Sequence, residues 1–130
     1  NKVDSVPLSQ VSAEYLIDYN EFDIHSTLAV GDVVYIDGTE LKKCNKQDIN
    51  TLPAIGVIRE KPTLTTALIQ TVGLIGGYSG LEINKIYYLD NDGDLTITPT
   101  DTPGEALHTI AISRSSTVLE LRLDNSYIMI

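Results

Sequence analysis

The chain is poor in the residues that mark the commonest functional classes. It has one cysteine, Cys44, in 130 residues. No intrachain disulfide can form. That excludes a small scaffold stapled by sulfur bridges and fits synthesis in a reducing compartment. A lone cysteine is expected as a small buried hydrophobe rather than a nucleophile. Tryptophan is absent and phenylalanine occurs once, which leaves little for a platform that stacks sugars. Basic residues number 9 against 18 acidic ones, for a net charge of −9. Phosphate binding needs clustered Lys and Arg, and the one local group is Lys42, Lys43 and Lys46. Neither nucleic acid nor an anionic membrane is therefore an expected partner. No apolar run reaches the roughly 18 residues of a helical membrane span, and no secretory leader is read at the start. The first residue is Asn1 rather than Met, so a trimmed, processed or partial chain is expected.

Motifs for chemistry are equally scarce. The only histidines, His25 and His108, have no second His or Cys at ligand spacing. Asp90-Asn91-Asp92-Gly93-Asp94 has the oxygen density of a calcium loop, but Leu95 stands where that loop needs Gly and Asp101 where it needs its closing Glu. The segment reads instead as an acidic hairpin turn. Ser115, His108 and Asp101 can be drawn as a triad on paper, but no nucleophile elbow surrounds any serine. The glycine-rich stretch 73–80 lacks the Lys-Ser/Thr ending of a phosphate loop. No catalytic, cofactor-binding or metal-binding residue is named, no cofactor is expected, and the chain is read as a non-enzyme.

What is present is a repeat. Leu28-Ala29-Val30-Gly31-Asp32-Val33-Val34-Tyr35-Ile36-Asp37 matches Leu81-Glu82-Ile83-Asn84-Lys85-Ile86-Tyr87-Tyr88-Leu89-Asp90. Ala54-Ile55-Gly56-Val57-Ile58-Arg59 matches Thr109-Ile110-Ala111-Ile112-Ser113-Arg114 after a two-residue insertion in the intervening loop. A weaker third pair sets Thr66-Ala67-Leu68 against Thr117-Val118-Leu119. Two copies in one order imply duplication of a small β unit. Gly31 and Asn84 share a repeat position, and both residue types tolerate a left-handed backbone.

Within each copy the signal is β. Val33-Val34-Tyr35-Ile36 runs into an Asp37-Gly38 turn with Glu40–Cys44 returning. Ile86-Tyr87-Tyr88-Leu89 runs into the Asp90–Gly93 turn with Leu95–Thr98 returning, and Pro99 and Pro103 end pairing. Leu119, Leu121 and Leu123 share one face with Glu120 and Arg122 opposite. The fold class is all-β, a small barrel or sandwich of two repeated units. The divisions are an N-terminal arm at 1–27, repeat one at 28–73, a glycine-rich connector at 73–80, repeat two at 81–123 and an apolar tail at 124–130. The arm is acidic, with Asp4, Glu14, Asp18, Glu21 and Asp23 against Lys2. It is read as extended or as a short helix near 12–19 capped by Ser12.

The run Gly31-Asp32-Val33-Val34-Tyr35 with Pro53-Ala54-Ile55-Gly56-Val57-Ile58 resembles modules of bacteriophage virion proteins. So does Ile86-Tyr87-Tyr88-Leu89-Asp90, Gly93, Leu95-Thr96, Pro99 and Gly104 with Ile110-Ala111-Ile112-Ser113. The resemblance covers about residues 28–123. Asn84-Lys85 departs from a common Gly-Asp, and Ala111 from a common Gly. The resemblance implies a β-rich, often trimeric component of a capsid surface, tail fibre or baseplate, made in the host cytoplasm and displayed on the virion. It implies a homotrimer with capsid or tail subunits as partners and, in fibre versions, a host surface receptor. It carries no catalytic or binding residues.

Assembly contacts are expected from the arm (Tyr15, Leu16, Tyr19) and from the tail (Tyr127, Ile128, Met129, Ile130). An apolar terminus in an acidic protein needs cover, against its own core or at a subunit interface. Of the seven tyrosines, Tyr35, Tyr87 and Tyr88 fall in strands, where packing is the usual role. Tyr78 lies in the glycine loop and is the candidate exposed aromatic contact of a rival reading, a receptor- or carbohydrate-binding adhesin.

Overall fold

The computed structural model describes residues 22–24, 28–64, 66–124 and 126–130. The arm's proposed helix, with Tyr15, Leu16 and Tyr19, lies outside the described residues, as does His25. The chain is all-β. Strand β1 (Phe22–Ile24) comes first, then β2 (Val33–Asp37), β3 (Glu40–Lys43), β4 (Gly56–Thr63) and β5 (Thr66–Gln70). There follow β6 (Gly73–Ile75), β7 (Ile86–Leu89), β8 (Leu95–Thr96), β9 (Ala106–Leu107), β10 (Thr109–Ser113), β11 (Leu119–Leu121) and β12 (Ile128–Met129).

The duplication appears directly in the topology. The first module is ordered β1-β3-β2-β4-β5 and the second β6-β11-β10-β7-β8. Stripped of β1 and β6, both read hairpin strand, first strand, third strand, fourth strand. Backbone hydrogen bonds repeat as well. Gly31 N–H donates to Ile58 O at 2.8 Å, and its counterpart Asn84 to Ser113 O at 2.9 Å. The reciprocal bonds, Ile58 to Asp32 O and Ser113 to Lys85 O, are both 3.0 Å. Gly31 (φ 96) and Asn84 (φ 61) both adopt the left-handed backbone that the repeat anticipates. Asn is among the few residues other than Gly that visit it routinely.

Two boundaries move, and one repeat match shifts. Residues 22–24 leave the arm and join module one, where β1 pairs with β5 antiparallel and with β3 in parallel. The first three residues of the glycine connector form β6, which pairs with β11. The weak third match is out by one residue. Ile69 pairs with Ile58, and Leu119 pairs with Ser113, so Ile69 rather than Leu68 is the counterpart of Leu119. A one-residue slip would turn every side chain to the other face, and burial agrees: Ile69 and Leu119 are both fully buried.

Two cores result. One fills the first module with Leu28, Val34, Leu41, Ile58, Ala67 and Ile69. The other joins Val33, Cys44, Ala54 and Val57 of the first module to Ile75, Tyr87, Leu89, Ile110, Leu119 and Leu121 of the second. Alternation along a strand sends neighbours to opposite faces. Val33 and Val34 therefore lie in different cores, as do Val57 and Ile58, and all four are fully buried. Cys44 is the small buried hydrophobe expected, and burial pushes its thiol up to about 12.

Candidate assembly surfaces

Exposed apolar side chains are spread over the surface, Leu64 among them at 76%, and they gather next to one another in two places. The first is the tail. Strand β12 pairs with β9, setting Ile128 opposite Leu107 and Met129 opposite Ala106. Ile130 N–H donates to Glu105 O, and Gly104 N–H to Ile130 O, each at 2.9 Å. The backbone is thus held, yet Ile128, Met129 and Ile130 stay 64%, 41% and 41% exposed. Tyr127 is turned inward, its ring 5.8 Å from that of His108. Of the four tail residues expected as contacts, three point outward and Tyr127 is half-buried.

A polar clamp fixes this ribbon to the rest of the chain. Lys46 Nζ lies 3.2 Å from Asp90 Oδ1 and 3.4 Å from Glu105 Oε1. Gln47 Nε2 donates to Glu105 Oε2 at 3.1 Å, and Thr100 Oγ1 donates to the same carboxylate. The Thr100 hydroxyl, then Gln47, hold the Glu105 carboxyl below the usual carboxylate range. Ala106 N–H donates to Lys46 O at 2.8 Å. The tail strand is thereby tied to both modules.

The second place is the outer face of module two. Leu74, Glu120, Ile112 and Ile86 are direct cross-strand partners in one row across β6, β11, β10 and β7. Ile86 is 45% and Leu74 49% exposed. Glu120 is gripped from both sides, by Arg114 Nε at 2.6 Å and by Arg122 at 3.0 Å. The Arg114 hydrogen bond leads in holding its carboxyl low. A recess of about 630 Å³ lies here, lined by Ile86, Thr109, Ile112, Arg122 and Asp124 among others.

The other expected features resolve differently. Tyr78 is not an exposed contact. It packs against the shared core, its ring 3.8 Å from where a Cβ on Gly31 would stand, and its hydroxyl is enclosed. Burial pushes that phenol up to about 12. Gly31 supplies a positive φ, and a Cβ there would meet the ring only at ordinary contact distance. Asp90–Asp94 is the hairpin turn expected. Asp90 N–H donates to Asp94 O, and Gly93 N–H to Cys44 O, while Asp92 and Gly93 take positive φ. Among the described residues no group of three or more His, Cys, Asp and Glu is placed to hold a metal. Ser115, His108 and Asp101 do not converge as drawn. Ser115 pairs with Thr117, and His108 Nε2 accepts from Ala54 N–H at 3.1 Å in the contact between modules. Among the described residues no helix is long and apolar enough to cross a membrane.

No protein-family model and no curated protein matches the chain.

The row on module two escaped sequence reading. Its members come from four strands, and only Ile86 and Ile112 lie within matched repeat blocks. The signal that could have found it is the repeat itself, because Ile86 and Ile112 are the counterparts of Val33 and Val57.

Proposed function

We propose that this chain is a bacteriophage virion surface protein that acts by assembly, forming a homotrimer and docking on other virion proteins. The observation that carries this reading is the tail: an apolar strand held rigid by β9 and the Glu105 clamp, with its side chains turned outward. Exposed apolar side chains grouped on a paired strand mark a candidate interaction site, and the fixed backbone lowers the ordering cost of docking. The sequence resemblance supplies the virion setting, and the net charge of −9 favours solubility before docking.

Two measurements test it. Native mass spectrometry of the purified chain should give a trimer that the pair Ile128→Ser and Ile130→Ser dissociates. Antibody raised against the chain should label gradient-purified phage particles. A chain absent from particles would overturn the virion reading, and an assembly indifferent to the tail pair would overturn the tail's role.

A further inference from the structure

We infer that the outer face of module two, the row Leu74–Glu120–Ile112–Ile86, seats a second copy of this chain. The inference rests on the assembly reading above and identifies a surface and partner for it. It comes from comparing one face in its two settings. In module one the corresponding row is Gln70–Val57–Val33, paired strand to strand in the same way. There Gln70 is 1% exposed and both valines 0%. Val33 and Val57 are covered by Tyr87, Leu89, Leu119 and other residues of the second module. Gln70 Nε2 turns back onto the backbone, donating to Val72 O and Leu74 O. This face of the module is therefore one that another module of the same chain covers. In module two the same positions hold Ile86, Ile112 and Glu120. The two apolar members are larger than their valine counterparts, and among the described residues nothing covers Ile86 to the same degree.

Charge favours the same occupant. Two arginines meet one carboxylate at this face, on a chain that is otherwise acidic. With Asp124 beside them, two arginines balance two carboxylates, so a second copy of this acidic chain meets less repulsion here than over the rest of its surface. Arginine is also among the residues enriched at protein interfaces. Glu120 comes already paired, so covering it does not bury a lone charge.

The test uses the full chain and two outward-facing substitutions, Ile86→Lys and Ile112→Glu, alongside the tail pair. Urea unfolding checks that each remains as stable as the parent. Sedimentation velocity up to about 100 µM then reads association by mass action. Each face substitution should weaken self-association by about 30-fold or more, as expected of an interface hot spot. Undiminished association of both face variants would overturn the inference while leaving the assembly reading intact. A parent chain monomeric throughout, yet bound to particles, would also overturn the inference and spare the virion reading. Association that depends on the face, in a chain absent from particles, would keep the inference and overturn the virion reading. As a positive marker, Ile112→Cys should form a cross-linked dimer with a short bismaleimide, since Cys44 is buried and does not compete.

Discussion

The two modules follow one strand plan and finish in opposite states. In the first, β1 bridges β5 and β3, the strand order closes on itself, and the interior is filled from within by Val34, Leu41, Ile58, Ala67 and Ile69. In the second, β6 takes the place of β1 beside β11, but no pairing joins it to β8. Strand β8 is two residues long, against four for β3, and Pro99 soon follows, which cannot donate to a ladder. The interior of the second module is completed by the outer face of the first. Where module one carries Ile58 inside, module two carries Ser113, fully buried, with its hydroxyl donating to Glu82 O and accepting from Lys85 N–H. Duplication thus yields a closed unit and an open one, and the closed unit covers the open one. Closure needs only one strand to reach its neighbour. Its presence or absence decides which face of the same module is sealed.

The sharpest way to break this comparison is to charge one position in both settings. Val57→Asp would place an unpaired carboxylate at a fully buried site, costing about 3–5 kcal/mol. Ile112→Asp, at the half-buried counterpart in module two, should cost about 1 kcal/mol or less. Urea midpoints with unchanged slopes decide it, and equal losses would show that Ile112 does not face outward.

Next comes Gly56, whose counterpart Ala111 carries a fully buried methyl group. A Cβ on Gly56 would stand 2.8 Å from Gln70 O on the adjacent strand. Gly56→Ala should cost about 1–3 kcal/mol through overpacking, seen as a lower thermal midpoint. Full tolerance would mean that β4 and β5 separate more readily than β10 and β11.

His108 sharpens the contact between modules. Its Nε2 accepts from Ala54, so the ring is neutral with its proton on Nδ1. Burial, opposed by Asp124, lowers its pKa from the ordinary 6.5. The unfolded chain then takes up the proton first. The stability this group supports is complete above 6.5 and is lost as pH falls below it. His108→Leu should flatten that part of the stability–pH profile and, by stranding the Ala54 N–H, cost about 1–3 kcal/mol at neutral pH. A profile of unchanged slope in the variant would assign the acid sensitivity to the carboxylates.

The smallest effect is at the shared turn. Asn84→Gly, which copies Gly31, should change stability by about 0.5 kcal/mol or less, since relief of the left-handed backbone is offset by the entropy of glycine. Chemical denaturation reads it, and a loss of several times that size would give the Asn84 side chain a role its counterpart lacks.

Much of this architecture was legible in the chain. The order of strands, the turns at Asp37-Gly38 and Asp90–Gly93, the matched Gly31 and Asn84, and the Leu119/Leu121 face all follow from local alternation and turn chemistry. The apolar tail was legible for the same reason. The one-residue error in the third repeat pair came from aligning Thr66 with Thr117 by identity, whereas burial aligns Ile69 with Leu119. Tyr78 looked exposed because it sits among glycines. Its ring instead packs against the shared core, beside Gly31, which is distant in sequence. Strands β1 and β6 were missed because three residues give too short a pattern to read.

The sequence by itself determined that there are two β modules, where their longer strands and hairpin turns fall, and that the chain is acidic. These depend on neighbours along the chain: side-chain alternation, turn residues and charge. Only the tertiary structure decided that β1 closes one module while β8 falls short in the other, and that Val33 is sealed while Ile86 stands at the surface. Val33 and Ile86 are both β-branched, apolar and first in their strands. What separates them is whether a distant part of the chain covers them, and no local pattern records that.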